Sequence, residues 1–237
     1  MKNISKAFGG IGALKDVSMS VNSGEIVGII GPNGAGKTTL FGVISGFHRP
    51  DRGSVLFNGK RIDGLPPHKI CKMGIARTFQ IAQPFNEFTV YNTALTAALC
   101  RLSMRDAKKK AWEVLEVVGL NKKAHDLVST LTIAEQKALE ITKAVSTGAC
   151  LVLLDEVMAG LTSIESELMI KAIRALNEEW ACTFLIVEHV MPVIMKLCKR
   201  VVVLNFGVVI AEGPPEAVTG NRAVIDSYLG EEVELET

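Results

Sequence analysis

Apolar positions fall into two patterns along the chain, and their alternation predicts a layered α/β protein. Short, nearly unbroken apolar runs read as buried strands: "SGEIVGII" (23–30), 150–154, 183–187 and 200–204, with a further strand at 208–211 after Gly207. Between them, apolar residues recur at helical spacing, which predicts helices from about Lys37, over 133–146, over 164–179 and over 191–197. Strands that alternate with helices imply a mostly parallel sheet.

Two stretches break that alternation. "GSVLFNGKRI" (53–62) reads as a hairpin turned at Asn58-Gly59. The extended N-terminal stretch, with "VSMSV" (17–21), is expected to share the same small antiparallel sheet. Residues 89–129 have helical periodicity and no strand signal, so they read as an inserted helical subdomain. The fold class is therefore an α/β core with a small antiparallel β subdomain and a helical insert. The expected organisation is one domain over 1–237, with approximate subdomains 1–88, 89–130 and 131–237. Lys108–Lys110 reads as a solvated helix face, and the acidic end "GEEVELET" as a frayed tail.

Composition narrows the function little. A net charge of +1 gives no basic footprint for nucleic acid. Five widely spaced cysteines, without a CxxC pair, suggest neither a zinc site nor a disulfide framework and read as buried thiols. The start "MKNISKAF" lacks an apolar core for a leader. No run reaches the ~18 apolar residues needed to span a bilayer. Any membrane role is expected to go through a partner.

The chemistry begins at "IIGPNGAGKTTL" (29–40). Gly31, Pro32, Asn33, Gly34, Ala35, Gly36, Lys37 and Thr38 complete the pattern GxxxxGK[ST], with Thr39 beside them, after a strand and before a helix. Glycines let backbone N–H groups curl around phosphate oxygens, and the helix directs its positive end at the same anion. Lys37 would reach the β- and γ-phosphates, and Thr38 would ligate Mg²⁺. A carboxylate for the metal stands at the end of "CLVLLDE" (150–156), where Asp155 can hold Mg²⁺ through water. Adjacent Glu156 could polarise the attacking water as a general base. ATP and Mg²⁺ are the expected ligands.

The order of these motifs resembles the ATP-binding domain of an ABC transporter over essentially the whole chain. That resemblance implies roles for three more residues. Gln80 in "ARTFQ" stands at the glutamine that contacts Mg²⁺ and senses the transmembrane partner. His189 in "LIVEHV" stands at the switch histidine that touches the γ-phosphate, and Phe8 at the aromatic that stacks on adenine. Without the resemblance, Phe8 reads as a core residue and Gln80 as a surface amide.

"GIARTFQ", "FNEFTVYNTAL" and the ending "GVVIAEGPPEAV … SYLGEE" resemble more narrowly the ATP-binding subunits of branched-chain amino-acid importers. Importers of urea and other amides share much of this. The resemblance implies a second ATPase subunit, transmembrane permease subunits, an extracytoplasmic solute-binding protein as an indirect partner, and a peripheral position on the cytoplasmic face of the membrane. Other readings are a low-turnover regulatory ABC ATPase and a cytosolic ABC ATPase of repair or translation. The latter usually carries a coiled coil, tandem domains or a basic surface.

The signature departs from the family's pattern. Thr132, Ile133, Ala134, Glu135 and Gln136 stand where LSGGQ or LSGGE is expected, so Ala134 brings a methyl where backbone should approach the opposite subunit's γ-phosphate. Thr132-x-x-Glu135 is also a capping box for the helix that follows, and both readings, capping alone or capping with phosphate contact, stay open. Thr162 replaces the usual aspartate or asparagine of the D-loop. These changes lie in the parts that meet a second subunit, which points to a heterodimer.

Overall fold

The computed structural model describes residues 1–79 and 85–234, and for 229–234 the backbone alone. In chain order its first elements are β1 (Lys2–Phe8), β2 (Ile11–Val17), β3 (Ile26–Ile30), α1 (Lys37–Ile44), β4 (Arg52–Ser54), β5 (Leu56–Phe57) and β6 (Lys60–Arg61). The middle holds α2 (Pro67–Met73), β7 (Ile75–Arg77), α3 (Val90–Ala98), α4 (Met104–Val118) and α5 (Ile133–Ser146). Then come β8 (Leu151–Asp155), α6 (Ser163–Trp180), β9 (Thr183–Val187) and α7 (Met191–Leu197). The chain closes with β10 (Arg200–Asn205), β11 (Val208–Gly213), α8 (Pro215–Thr219) and α9 (Arg222–Glu234).

The chain divides into two compact units, one of residues 1–22, 26–70 and 185–237, the other of 23–25 and 71–184. In the first unit, strands run β2-β1-β4 in an antiparallel sheet. Beside it lies the run β11-β10-β3, with β10 parallel to β3 and antiparallel to β11. Ile4, Leu14, Ile29, Ile30, Leu40 and Phe41 are fully buried there. In the second unit β7 lies parallel to β8, and Val152, Leu153 and Leu154 of β8 have no exposed surface. Helices α3 and α4 pack on α5, and α4 also meets α6.

Local chemistry explains the helix ends. The α4 apolar stripe Ala107, Ala111, Val114 and Leu115 is buried at helical spacing, its N-cap Ser103 accepts the Asp106 N–H, and Gly119 closes it in the left-handed region. Among the described residues no helix is long and apolar enough to cross a membrane.

Several expectations need correction. The hairpin spans only 56–61, turned at Asn58 and Gly59 with φ of 48° and 74°, while β4 pairs instead with β1. Only Val17 of "VSMSV" lies in a strand; Met19 instead exchanges backbone hydrogen bonds with Met1. The acidic end is helical as far as Glu234. Lys110 is not a solvated face residue: its ammonium lies 3.3 Å from the Trp180 ring centroid, and burial lowers its pKa. Of the cysteines, Cys182 and Cys198 are buried, Cys71 is half-buried, and Cys100 and Cys150 are exposed.

Candidate functional site

The glycine-rich loop leaves the buried strand β3 and enters α1. Gly31 has φ 147°, and a Cβ there would sit 2.0 Å from the Leu204 carbonyl oxygen. Gly36 has φ 103°, and a Cβ there would sit 2.5 Å from the Ala13 carbonyl oxygen. Neither position admits a side chain. The β10–β11 turn braces the loop, since the Gly207 N–H donates to the Ala35 carbonyl at 3.0 Å.

This loop has the features of an anion cradle. Gly36 is the N-cap of α1, so no side chain caps the helix, and the first turn holds no acidic residue. The N–H groups that every helix start leaves without intrahelical partners, and the positive end of its dipole, are not answered by a carboxylate of that turn. Lys37 is 6% exposed, and its ammonium donates to the carbonyls of Gly31 and Pro32 at 2.6 and 2.7 Å. The loop thus folds around the end of its own lysine. Asn33, Gly34 and Thr38 are exposed, while Pro32 and Ala35 are buried and Thr39 is half-buried.

The carboxylates stand in the second unit, at the end of β8. Asp155 is the last strand residue and is buried. Glu156 follows with φ 50°, a left-handed conformation that costs a non-glycine residue roughly 1–2 kcal/mol. This sharp turn ends the strand between the two acids. The Thr78 hydroxyl accepts the Asp155 N–H at 3.1 Å, and the Arg77 guanidinium donates to Asp155 Oδ2 at 2.8 Å. A cavity of about 120 Å³ lies here, lined by Asp155, Glu156, Phe79, Val157 and, from α5, Ile133, Gln136, Lys137 and Glu140. The structure therefore brings Asp155 and Glu156 together with the start of the α5 helix.

Mg²⁺ takes oxygen ligands, and the Asp155 carboxylate and the Thr38 hydroxyl are of that kind. Asp155 is held by Arg77 at the end of β7 and by Thr78 just after it, as a metal-binding carboxylate generally is held by its neighbours.

The signature stretch opens α5 with Thr132 as N-cap, its hydroxyl accepting the Glu135 N–H while Glu135 accepts the Thr132 N–H. Ile133 is 68% exposed, Ala134 lies in the first turn, and the Gln136 amide donates to the Leu131 carbonyl at 3.0 Å. Thr162 builds a second capping box, with Glu165, at the start of α6. The Thr-x-x-Glu spacing that signals a capping box at 132 recurs at 162, and it was the available clue.

Phe8 ends β1 and is 44% exposed, so it is not a core residue. Its ring meets His48 edge-on at 5.1 Å, and the Lys6 ammonium lies 5.3 Å from its centroid. His189 is exposed in the loop between β9 and α7, next to buried Glu188. Gln80 lies outside the described residues. Arg77 was missed by sequence reasoning, because the three-residue strand it closes gives no periodic signal and its partner Asp155 is 78 positions away.

A profile of the family described as ABC transporter matches residues 14–159, and one described as branched-chain amino acid ATP-binding cassette transporter matches residues 208–234. The chain is 36% identical to the high-affinity branched-chain amino acid transport ATP-binding protein BraF of Pseudomonas aeruginosa, covering 98% of this chain and 97% of that one. It is 37% identical to the probable branched-chain amino acid transport ATP-binding protein LivG of Archaeoglobus fulgidus, over 97% of this chain and 94% of that one. Among solved structures it is similar to the ADP conformation of MJ1267, an ATP-binding cassette of an ABC transporter, with a TM-score of 0.88, 32% identity and 97% of each chain covered.

Proposed function

The chain belongs to the ABC transporter family, and from that premise we propose that it is the ATP-hydrolysing subunit of an importer for branched-chain or related amino acids. One observation carries the ATPase part: the glycine loop with buried Lys37, opening into a helix whose first turn holds no acid. The solute assignment is supported by the family profile over residues 208–234 and by end-to-end similarity to the BraF and LivG proteins.

Residue roles follow from chemistry. The N–H groups of Gly34 to Thr39 and the Lys37 ammonium bind the phosphates, with Lys37 exchanging its loop carbonyls for phosphate oxygens. When bound, Mg²⁺ would supply neutralisation of charge on the phosphates. Thr38, Asp155 and Gln80 would hold it. Glu156 accepts a proton from the attacking water, and His189 donates to the γ-phosphate. Phe8 offers its exposed ring to adenine.

Thr132 to Gln136 serve the ATP held by a second, different ATPase subunit. Permease subunits attach the chain to the cytoplasmic face of the membrane, and a solute-binding protein acts on the far side. The test is reconstitution of the complex in vesicles with its binding protein. ATP-driven accumulation of labelled leucine or isoleucine is expected. Accumulation of urea but not of these amino acids would reassign the solute, and solute-independent hydrolysis without uptake would overturn the importer reading.

A further inference from the structure

Arg77 ends β7 and pairs in register with Leu153 of β8. Its bond to Asp155 joins two side chains that are only 10% and 6% exposed. The guanidinium carbon also lies 5.4 Å from the Phe79 ring centroid. One residue on, Thr78 holds the Asp155 backbone and donates its own N–H to the Leu153 carbonyl at 2.9 Å. Arg77, the last residue of β7, and Thr78, just beyond it, therefore fix both the carboxylate and the backbone of one aspartate.

Stability gives little reason for this pair. The desolvation of two buried ions largely offsets their attraction, and an apolar pair of similar volume often serves as well. What the guanidinium supplies is direction. It is planar, always charged and backed by an aromatic ring, so it fixes the carboxylate it touches more narrowly than a flexible ammonium would. Groups that orient a metal-binding carboxylate in this way typically carry about 10–100-fold of the metal affinity.

We propose that Arg77 is a positioning residue for Asp155: it holds the carboxylate at the strand end ready for the divalent cation that accompanies bound nucleotide. This rests on the reading of Asp155 as the carboxylate for that cation. Arg77 acts through Asp155 alone and touches neither nucleotide nor metal.

The test is calorimetric titration of the full chain with ATP, once in Mg²⁺ and once in EDTA. In the wild type Mg²⁺ should tighten binding. Arg77→Met should leave the affinity in EDTA unchanged and cut the Mg²⁺ enhancement by about tenfold or more. Arg77→Lys, which keeps the charge but loses the fork, should fall between the two. Asp155→Asn should abolish the enhancement, and adding Arg77→Met to it should change nothing further. That double variant also leaves no uncompensated buried charge.

A wild type without Mg²⁺ enhancement, or an Asp155→Asn variant that keeps it, would sink the reading of Asp155 and the inference with it. If Asp155→Asn loses the enhancement while Arg77→Met keeps it, Arg77 is only a structural counter-ion. Should Arg77→Met fail to fold, an Arg77→Lys variant with the full wild-type enhancement overturns the proposal equally.

Discussion

Thr132 and Glu135 satisfy each other at the start of α5: the Glu135 N–H donates to the Thr132 hydroxyl at 3.3 Å, and the Thr132 N–H donates to the Glu135 carboxylate at 2.9 Å. Lys123 adds an ion pair to Glu135 at 2.7 Å. The signature stretch therefore has a structural task whatever else it does. Thr132→Ala should cost about 1 kcal/mol in chemical denaturation, and Thr132→Ser almost nothing. A neutral Thr132→Ala would show that the box does not stabilise the helix.

Glu135 makes this cap sensitive to acid. Burial opposes its ionisation, but the hydrogen bonds from Lys123 and Thr132 outweigh that, and its pKa is lowered from 4.5. The folded state therefore binds the proton less readily than the unfolded chain. Its contribution is complete above about pH 4.5 and is lost as pH falls through the lower folded value. Denaturation of wild type and Glu135→Gln at neutral pH and at successively lower pH checks this. The gap between them should narrow in acid; a gap that widens would contradict the sign.

Lys37 is the most direct test of the phosphate cradle. Each charge-assisted hydrogen bond to phosphate is worth roughly 1.5–3 kcal/mol, so Lys37→Ala should weaken ATP binding by about tenfold to a hundredfold. Calorimetric titration with Mg-ATP decides it. Equal affinity in the two proteins would refute the cradle.

Glu156 offers a test of the chemistry. As the proton acceptor for the attacking water, it should tolerate Glu156→Gln in binding but lose on the order of 10²–10⁴ in turnover. Both readings come from one assembled complex, by nucleotide binding and phosphate release. Normal turnover with Glu156→Gln would remove Glu156 from the mechanism.

The β8 strand and the helices α5, α6 and α7 were legible because period and length agreed with packing. The predicted α5 boundaries, 133–146, are those observed, since Thr132 and Glu135 announce the start. The helix α2 and the strand β7 were not. β7 is three residues long, and Ile75-Ala76-Arg77 is too short for any periodicity to register. The N-terminal stretch was expected in an antiparallel sheet with the 53–62 segment, but an Asn-Gly turn does not show that β4, before the hairpin, is the part that pairs with β1. Lys37 could be singled out from the complete glycine-loop pattern, and Asp155 and Glu156 from an apolar strand end read together with that pattern. Arg77 becomes visible only when Asp155 is placed across from it, because the sequence separates the two by 78 positions.

The altered signature leads to the final prediction. Gly31 to Thr39, Asp155, Glu156 and His189, which we assign to this chain's own ATP, are all present. The residues assigned to an opposite ATP, Thr132, Ile133 and Ala134, are altered, as is Thr162 at the expected subunit boundary. Ile133 is 68% exposed, and Ile164 and Leu168, one turn apart on the α6 helix that Thr162 caps, are 75% and 61% exposed. Large apolar side chains in such positions suit a face that meets another chain. A homodimer would repeat the poor signature in both sites, whereas a heterodimer confines it to one. The isolated chain should therefore dimerise weakly with ATP and turn over slowly, and the heterodimer should hydrolyse unequally at its two sites. Ala134→Gly should raise turnover at the deficient site while costing up to about 1 kcal/mol in helix propensity, because the residue lies inside α5. Sedimentation with ATP in a Glu156→Gln background, chosen to trap the closed state, measures dimerisation, and ATPase activity with Glu156 intact measures turnover. A tight, fast-hydrolysing wild-type homodimer would overturn this, and Ala134 would then be an ordinary first-turn residue behind a capping box.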